Sequence, residues 1–304
     1  MTSPTPVLSL RDLRFSYGDT VAIDGLTAEV PSGTIGLVGA NGAGKTTLLK
    51  LLIGTLASAP GAVETLGIPV AERRLDVRSR VGWMPEGDCL PPDQTAADFI
   101  GYAAELGGLP SSAARQRASD VLALVGLHEE RFRPIGGFST GMRQRAKLAQ
   151  AIVHDPDLVL LDEPTAGLDP DGRDEMLDLI GRLRGFGIDV VVSSHVLTDI
   201  ERTCDWVVML DGGKLLRNGP ITALSAPEVV AVEVIGDPQP VADAVVRAGG
   251  TVELIDGRLL IRSEGVDPFL LARDALAATG TAVRRLGARR TTLEDVYLSE
   301  GHDE

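Results

Sequence analysis

The segment that most restricts how this chain can fold runs from Thr34 to Ile53. Thr34-Ile35-Gly36-Leu37-Val38 is a short apolar run that reads as a buried strand, and Gly39-Ala40-Asn41-Gly42-Ala43-Gly44-Lys45-Thr46 follows it directly. Lys45 to Ile53 has the spacing of a helix that Gly54 stops. Strand, glycine-rich loop and helix in this order form a nucleotide-binding unit. In the spacing Gly-x4-Gly-Lys-Thr, the glycines let backbone amides converge on a phosphate, and the helix N-terminus adds partial positive charge. Lys45 is placed to reach the β- and γ-phosphates, the Thr46 hydroxyl to ligate magnesium, and Gly39, Asn41, Gly42, Ala43, Gly44 and Thr47 to complete the cradle. At average residue frequencies such a match arises in roughly one in a hundred chains of this length, which makes an incidental lysine in a flexible loop a poor explanation.

A second pattern agrees with the first. Leu158-Val159-Leu160-Leu161-Asp162-Glu163 is an apolar strand that ends in two carboxylates before Pro164. At the C-terminal edge of a parallel sheet, such a pair faces the same crevice as the phosphate loop. Asp162 then holds magnesium directly or through water, and Glu163 polarises an attacking water. Further strand-like runs at Val190 to Ser193 and helical runs at Asp171 to Arg184 and Val196 to Thr203 give an α/β core with a parallel sheet.

The remaining patterns organise the chain around that core. Val7 to Tyr17 and Ile23 to Val30 alternate apolar and polar residues about Gly18 and Asp19, a hairpin of half-buried strands. Thr95 to Leu127 is helical and broken by Gly107-Gly108-Leu109-Pro110, which predicts a helical subdomain over about 90–155. After Ala226 the strand candidates Val229 to Ile235, Val252 to Ile255 and Leu259 to Arg262 interleave with helical stretches at Val241 to Ala248 and Pro268 to Ala278. The expected division is a nucleotide-binding domain over 1–225 and a small α+β domain over 226–304.

Composition narrows the partners. A formal net charge of −14 opposes a polyanionic partner, because nucleic-acid binding is driven largely by phosphate neutralisation. Nearly all basic residues are Arg; lysine occurs only at 45, 50, 147 and 214, which makes Lys45 stand out. Cys89 and Cys204 lie far apart without metal-ligand spacing and read as packing residues in a reducing compartment. There is no run of some 18 uncharged apolar residues, and Met1 to Pro6 lacks the regions of a secretion signal, so a cytoplasmic protein is expected.

Phe138-Ser139-Thr140-Gly141-Met142-Arg143-Gln144-Arg145 opens a helix towards His154, with Ser139 as its N-cap. This segment, shortly before the Asp162 strand, resembles the signature motif of ATP-binding-cassette (ABC) ATPases, and the resemblance covers about Val7 to Pro220. It implies a P-loop NTPase cassette with a mixed sheet, an N-terminal antiparallel β part and a helical subdomain. It also implies ATP and magnesium as cofactors, a second ATPase subunit and an integral-membrane permease as partners, and a place on the inner face of the cell membrane. In that family each ATP lies between the phosphate loop of one subunit and the signature of the other, here Ser139 and Gly141. Tyr17 matches the aromatic that stacks on adenine, and Ala166-Gly167-Leu168-Asp169 the loop that links the two sites. Ser193-Ser194-His195 matches the switch whose histidine contacts the γ-phosphate.

Two departures stand out. Pro85-Glu86 follows the Val81 to Met84 strand where the family has Gln, so the metal-contacting oxygen becomes a carboxylate. Thr140 and Met142 replace the commoner Gly and Gln. Near the end of the chain, Thr292-Leu293-Glu294-Asp295-Val296-Tyr297-Leu298 resembles the closing helix of bacterial drug-resistance and antibiotic exporters, which points to export. A soluble cassette acting on the ribosome or DNA is the alternative, but it usually carries two cassettes or a long coiled-coil insertion, and this chain has one phosphate loop and no sustained heptads. A small-molecule kinase has no use for Ser139, Gly141 or His195.

Overall fold

Residues 6–224, 229–255, 257–263 and 266–289 are described by the computed structural model. They belong to two units that divide after Pro220.

The first unit begins with β1 (Leu8–Tyr17) and β2 (Thr20–Val30), paired antiparallel as the alternating pattern requires. Leu8, Leu10 and Leu13 of β1 and Ile23, Leu26 and Val30 of β2 point inward and are buried. The central strand β3 (Thr34–Val38) is buried along its whole length and feeds the phosphate loop and α1 (Lys45–Leu52). Then come the short strands β4 (Val63–Thr65) and β5 (Ile68–Pro69), the single turn α2 (Arg74–Arg78) and β6 (Val81–Met84).

The helical part consists of α3 (Ala96–Leu106), α4 (Ser111–Leu124) and α5 (Thr140–Ile152), which pack against one another. Thr95 caps α3 by accepting the Asp98 amide at 3.1 Å. Ser139 caps α5 in the same way, accepting from Met142 N at 3.2 Å. The chain returns to the core as β7 (Leu158–Asp162), α6 (Pro170–Leu183), β8 (Asp189–Ser194), α7 (Leu197–Thr203), β9 (Trp206–Asp211) and β10 (Lys214–Pro220).

Two sheets result. One is antiparallel, in the order β2-β1-β4-β5; the other has the order β10-β9-β3-β8-β7-β6, with every pair parallel except β9 and β10. A common core joins them through α1, whose Leu48, Leu49, Leu51 and Leu52 pack with Leu10 and Leu26 from one sheet and Ile35, Leu37, Val191 and Leu210 from the other. Fully burying each such side chain contributes about 1.5–3 kcal/mol. The anchored helix holds the phosphate loop between the sheets. The mixed sheet, the N-terminal antiparallel part and the helical part expected from the resemblance are all present. The sequence reading assigns no strand to 206–220; β9 and β10 form there because Gly212 and Gly213, both at positive φ, close a hairpin after an apolar run.

The second unit contains α8 (Ile221–Leu224), β11 (Val229–Val234), α9 (Gln239–Arg247), β12 (Thr251–Ile255), β13 (Arg258–Arg262), α10 (Pro268–Thr279) and β14 (Val283–Arg289). The antiparallel order β12-β13-β11-β14, with two helices interleaved, is the split β-α-β arrangement. Its core is built from Val230, Val232, Val241, Val245, Leu259, Ile261 and Ala272. Strand β14 is absent from the sequence reading because its charged residues hide the pattern; pairing with β11 is what forms it. The stretch Thr292 to Leu298 lies outside the described residues. Among the described residues, no helix is long and apolar enough to cross a membrane.

Candidate nucleotide-binding and catalytic site

The phosphate loop passes between β2 and β9 with no room to spare. A Cβ on Gly39 would lie 2.5 Å from the Leu210 carbonyl oxygen, and one on Gly44, whose φ is 100°, would lie 2.6 Å from the Ala22 carbonyl oxygen. Side chains at either position would push the loop off the sheet. The first helical residue, Lys45, is buried, and its Nζ donates to Gly39 O at 2.8 Å and Ala40 O at 3.3 Å.

Over this loop lies a cleft of about 480 Å³. Of the residues singled out in the sequence, Tyr17, Asn41, Gly42, Gly44, Lys45, Thr46, Thr47, Glu86, Glu163 and His195 line it. Tyr17 is half-exposed at its rim, with its ring 5.0 Å from Phe15 in an edge-to-face contact. Gly39, Ala43 and Asp162 do not border the cleft, and Ala43 and Asp162 are buried. Ser139, Gly141 and Asp169 also lie off the cleft, Ser139 capping α5 and the exposed Asp169 capping α6.

The carboxylates sit where β7 ends. Glu163 has a φ of 48°, a left-handed conformation that a non-glycine residue adopts at some cost and that cradles its carboxylate at the inner wall. Its Oε1 is 3.4 Å from Lys45 Nζ and its Oε2 is 2.9 Å from His195 Nδ1. Behind it, the buried Ser193 hydroxyl donates to Asp162 Oδ1 at 2.6 Å and accepts the Glu163 amide at 2.9 Å. Asp162 Oδ2 is buried without a hydrogen-bond partner. A desolvated, unmatched carboxylate oxygen suits a hard cation, and Asp162 behind the cleft and the Thr46 hydroxyl on its wall are oxygen donors of that kind. Among the described residues, no three His, Cys, Asp or Glu side chains cluster as a self-contained metal site. A cation here would depend on non-protein oxygens, as magnesium on a nucleotide does.

Several residues that hold the site together were not legible as such. Asp199, only 5% exposed, accepts from Arg173 Nε at 2.8 Å and from Thr165 Oγ1 at 3.2 Å, which ties the loop after Glu163 to α6 and α7. Gln144 and Lys147 of α5 reach the loops that border the cleft. The available signal for Lys147 was a lysine in a chain that uses Arg almost everywhere.

Comparison with known proteins agrees with this geometry. Residues 23–166 match the family model described as ABC transporter. The chain is 34% identical over 298 residues to the Nod factor export ATP-binding protein I of Cupriavidus metallidurans, spanning 97% of each chain. It resembles the solved structure of an ATP binding subunit of an ABC transporter at a TM-score of 0.64 and 28% identity, over 72% of this chain and 91% of that one. The fold is shared, at a TM-score of 0.64 and 20% identity, with a dimeric post-hydrolysis ATP-binding cassette bound to ADP and Pi, over 70% of this chain and 98% of that one. The glycine-rich loop, Glu163 at the end of β7 and His195 lie around one cleft, and the chain belongs to the ABC transporter family as the ATP-hydrolysing, ATP-binding subunit of a transporter.

Proposed function

We propose that two copies of this chain clamp MgATP between them and that hydrolysis drives export through a separate membrane permease. The observation that carries this reading is the Glu163 carboxylate, held between Lys45 Nζ at 3.4 Å and His195 Nδ1 at 2.9 Å. With ATP on the loop, Lys45 turns its ammonium from the Gly39 and Ala40 carbonyls to the β- and γ-phosphates, joined by the loop amides. Glu163 then orients the attacking water, and His195 stabilises the charge that develops on the γ-phosphate. Magnesium supplies further neutralisation of the phosphates, and Thr46 and Asp162 are the residues that hold it, with Glu86 as an added oxygen donor. Tyr17 stacks on adenine.

Ser139 and Gly141 lie off the cleft of their own chain, which fits a role on the partner copy's γ-phosphate, and Asp169 lies in the loop that links the two sites. The γ-phosphate then bridges two chains, and its loss opens the dimer. Export, rather than uptake, follows the relative from Cupriavidus metallidurans, whose name is that of an export protein. The ATPase belongs to the first unit and the second serves as an accessory domain, with the whole subunit peripheral on the inner face of the membrane.

The test is Glu163→Gln. It retains ATP binding, loses at least about a hundredfold in turnover because water is no longer positioned, and accumulates as a dimer in MgATP by light scattering. Turnover at the wild-type level removes Glu163 from the mechanism. A variant that stays monomeric at saturating MgATP, alone and with its permease, removes the shared site.

A further inference from the structure

The chain has four lysines, and two of them, Lys45 and Lys147, are buried. Lys45 belongs to the phosphate loop. Lys147 lies on α5 at 3% exposure, and an ammonium taken out of water must be matched by hydrogen bonds. Its Nζ donates to Glu86 O at 2.7 Å and to Pro85 O at 3.2 Å, the two residues that follow β6. Among the described residues it forms no ion pair, and its ammonium is met by the backbone carbonyls of this one loop. One turn earlier, Gln144, which is also buried, donates from Nε2 to Ala166 O at 3.2 Å. Residues three apart share a helix face. That face of α5 therefore grips both loops flanking the cleft, one carrying Glu86 and the other Ala166.

We propose that Lys147 is a positioning residue for ATP hydrolysis. It fixes the backbone beneath Glu86 to α5, so that the place of the Glu86 carboxyl in the cleft is set by the helix whose N-terminus carries Ser139 and Gly141. A flexible four-carbon stem ending in three donors can satisfy two neighbouring carbonyls at once, which no apolar side chain of that length can do. The inference rests on the reading that Glu86 and the α5 N-terminus both serve the nucleotide.

The test is a double-mutant cycle on the full-length chain with Lys147→Met, which keeps the stem and removes the donors, and Glu86→Ala. The expected result is a fall of about tenfold in kcat for Lys147→Met, with the dissociation constant of a fluorescent ATP analogue changed by less than about twofold. In the Glu86→Ala background the same substitution lowers kcat by less than about twofold, since what it positions is already gone. Should Lys147→Met fail to fold, Lys147→Gln, which keeps a shorter neutral donor, is run through the same cycle. An unchanged kcat in the wild-type background overturns the proposal, and so does an equal loss in both backgrounds, which is what a merely structural lysine gives. Lys45→Ala is the control: its failure to stop turnover sinks the proposed site itself, whereas a dead Lys45→Ala with an inert Lys147→Met sinks only the role of Lys147.

Discussion

Ser193 and Asp162 are joined by a 2.6 Å hydrogen bond across the parallel pair β8 and β7, and the same Ser193 oxygen accepts the Glu163 amide at 2.9 Å. One fully buried hydroxyl thus sets both residues of the strand-end carboxylate pair. It fixes the side chain of Asp162 and the backbone of Glu163, which sits in a left-handed conformation that needs such support. Ser193→Ala leaves an amide and a carboxylate oxygen without partners in the core. The expected cost is about 1–3 kcal/mol in urea unfolding, with a fall in kcat larger than any change in nucleotide affinity. Wild-type stability and kcat together would show that the hydroxyl holds nothing.

Arg173 and Asp199 form the corresponding brace for the loop after Glu163. Asp199 is 5% exposed, while the Arg173 side chain is about one third exposed, so the loss on breaking the pair is screened on one side. Arg173→Met strands a buried carboxylate and is expected to destabilise by about 2 kcal/mol, below the 3–5 kcal/mol of a fully buried pair. Adding Asp199→Leu removes the stranded charge and recovers part of that loss. A double variant less stable than Arg173→Met alone contradicts the brace.

His154 sets an acid limit on stability. It follows α5, its Nε2 is buried without a hydrogen-bond partner, and burial pushes its pKa below the usual imidazole range despite a backbone hydrogen bond involving Val81. The unfolded chain takes up a proton near pH 6.5 while the folded chain does so only at lower pH, so between those values the unfolded state binds more protons. Stability therefore rises with pH through this window and is lost as pH falls below about 6.5. His154→Leu flattens that part of the curve. Urea midpoints from pH 5 to 7.5 with the same slope in both proteins would clear His154 of the effect.

Much of the site was legible because its chemistry lies in contiguous residues. Gly39 to Thr46 needs only its own backbone to form a phosphate cradle, and Asp162-Glu163 needs only the strand before it. The length of β3 and the start of α5 followed from local rules as well, an apolar run for one and the Ser139 cap for the other. Lys147, Gln144, Arg173 and Asp199 were different, since each acts on a loop far away in sequence. The charged strand β14 escaped notice for a related reason, its pairing with β11 being the source of its order.

The sequence by itself determined the nucleotide chemistry and the α/β class, because glycine spacing, apolar periodicity and helix caps are local properties of the chain, while the family followed from the resemblance of Phe138 to Arg145 to the ABC signature. Only the tertiary structure decided how Glu163 is held between Lys45 and His195, which hydroxyl supports it and which buried lysine grips the Glu86 loop. Those relationships depend on which strands lie side by side and which polar groups lose their water, and no local pattern encodes that.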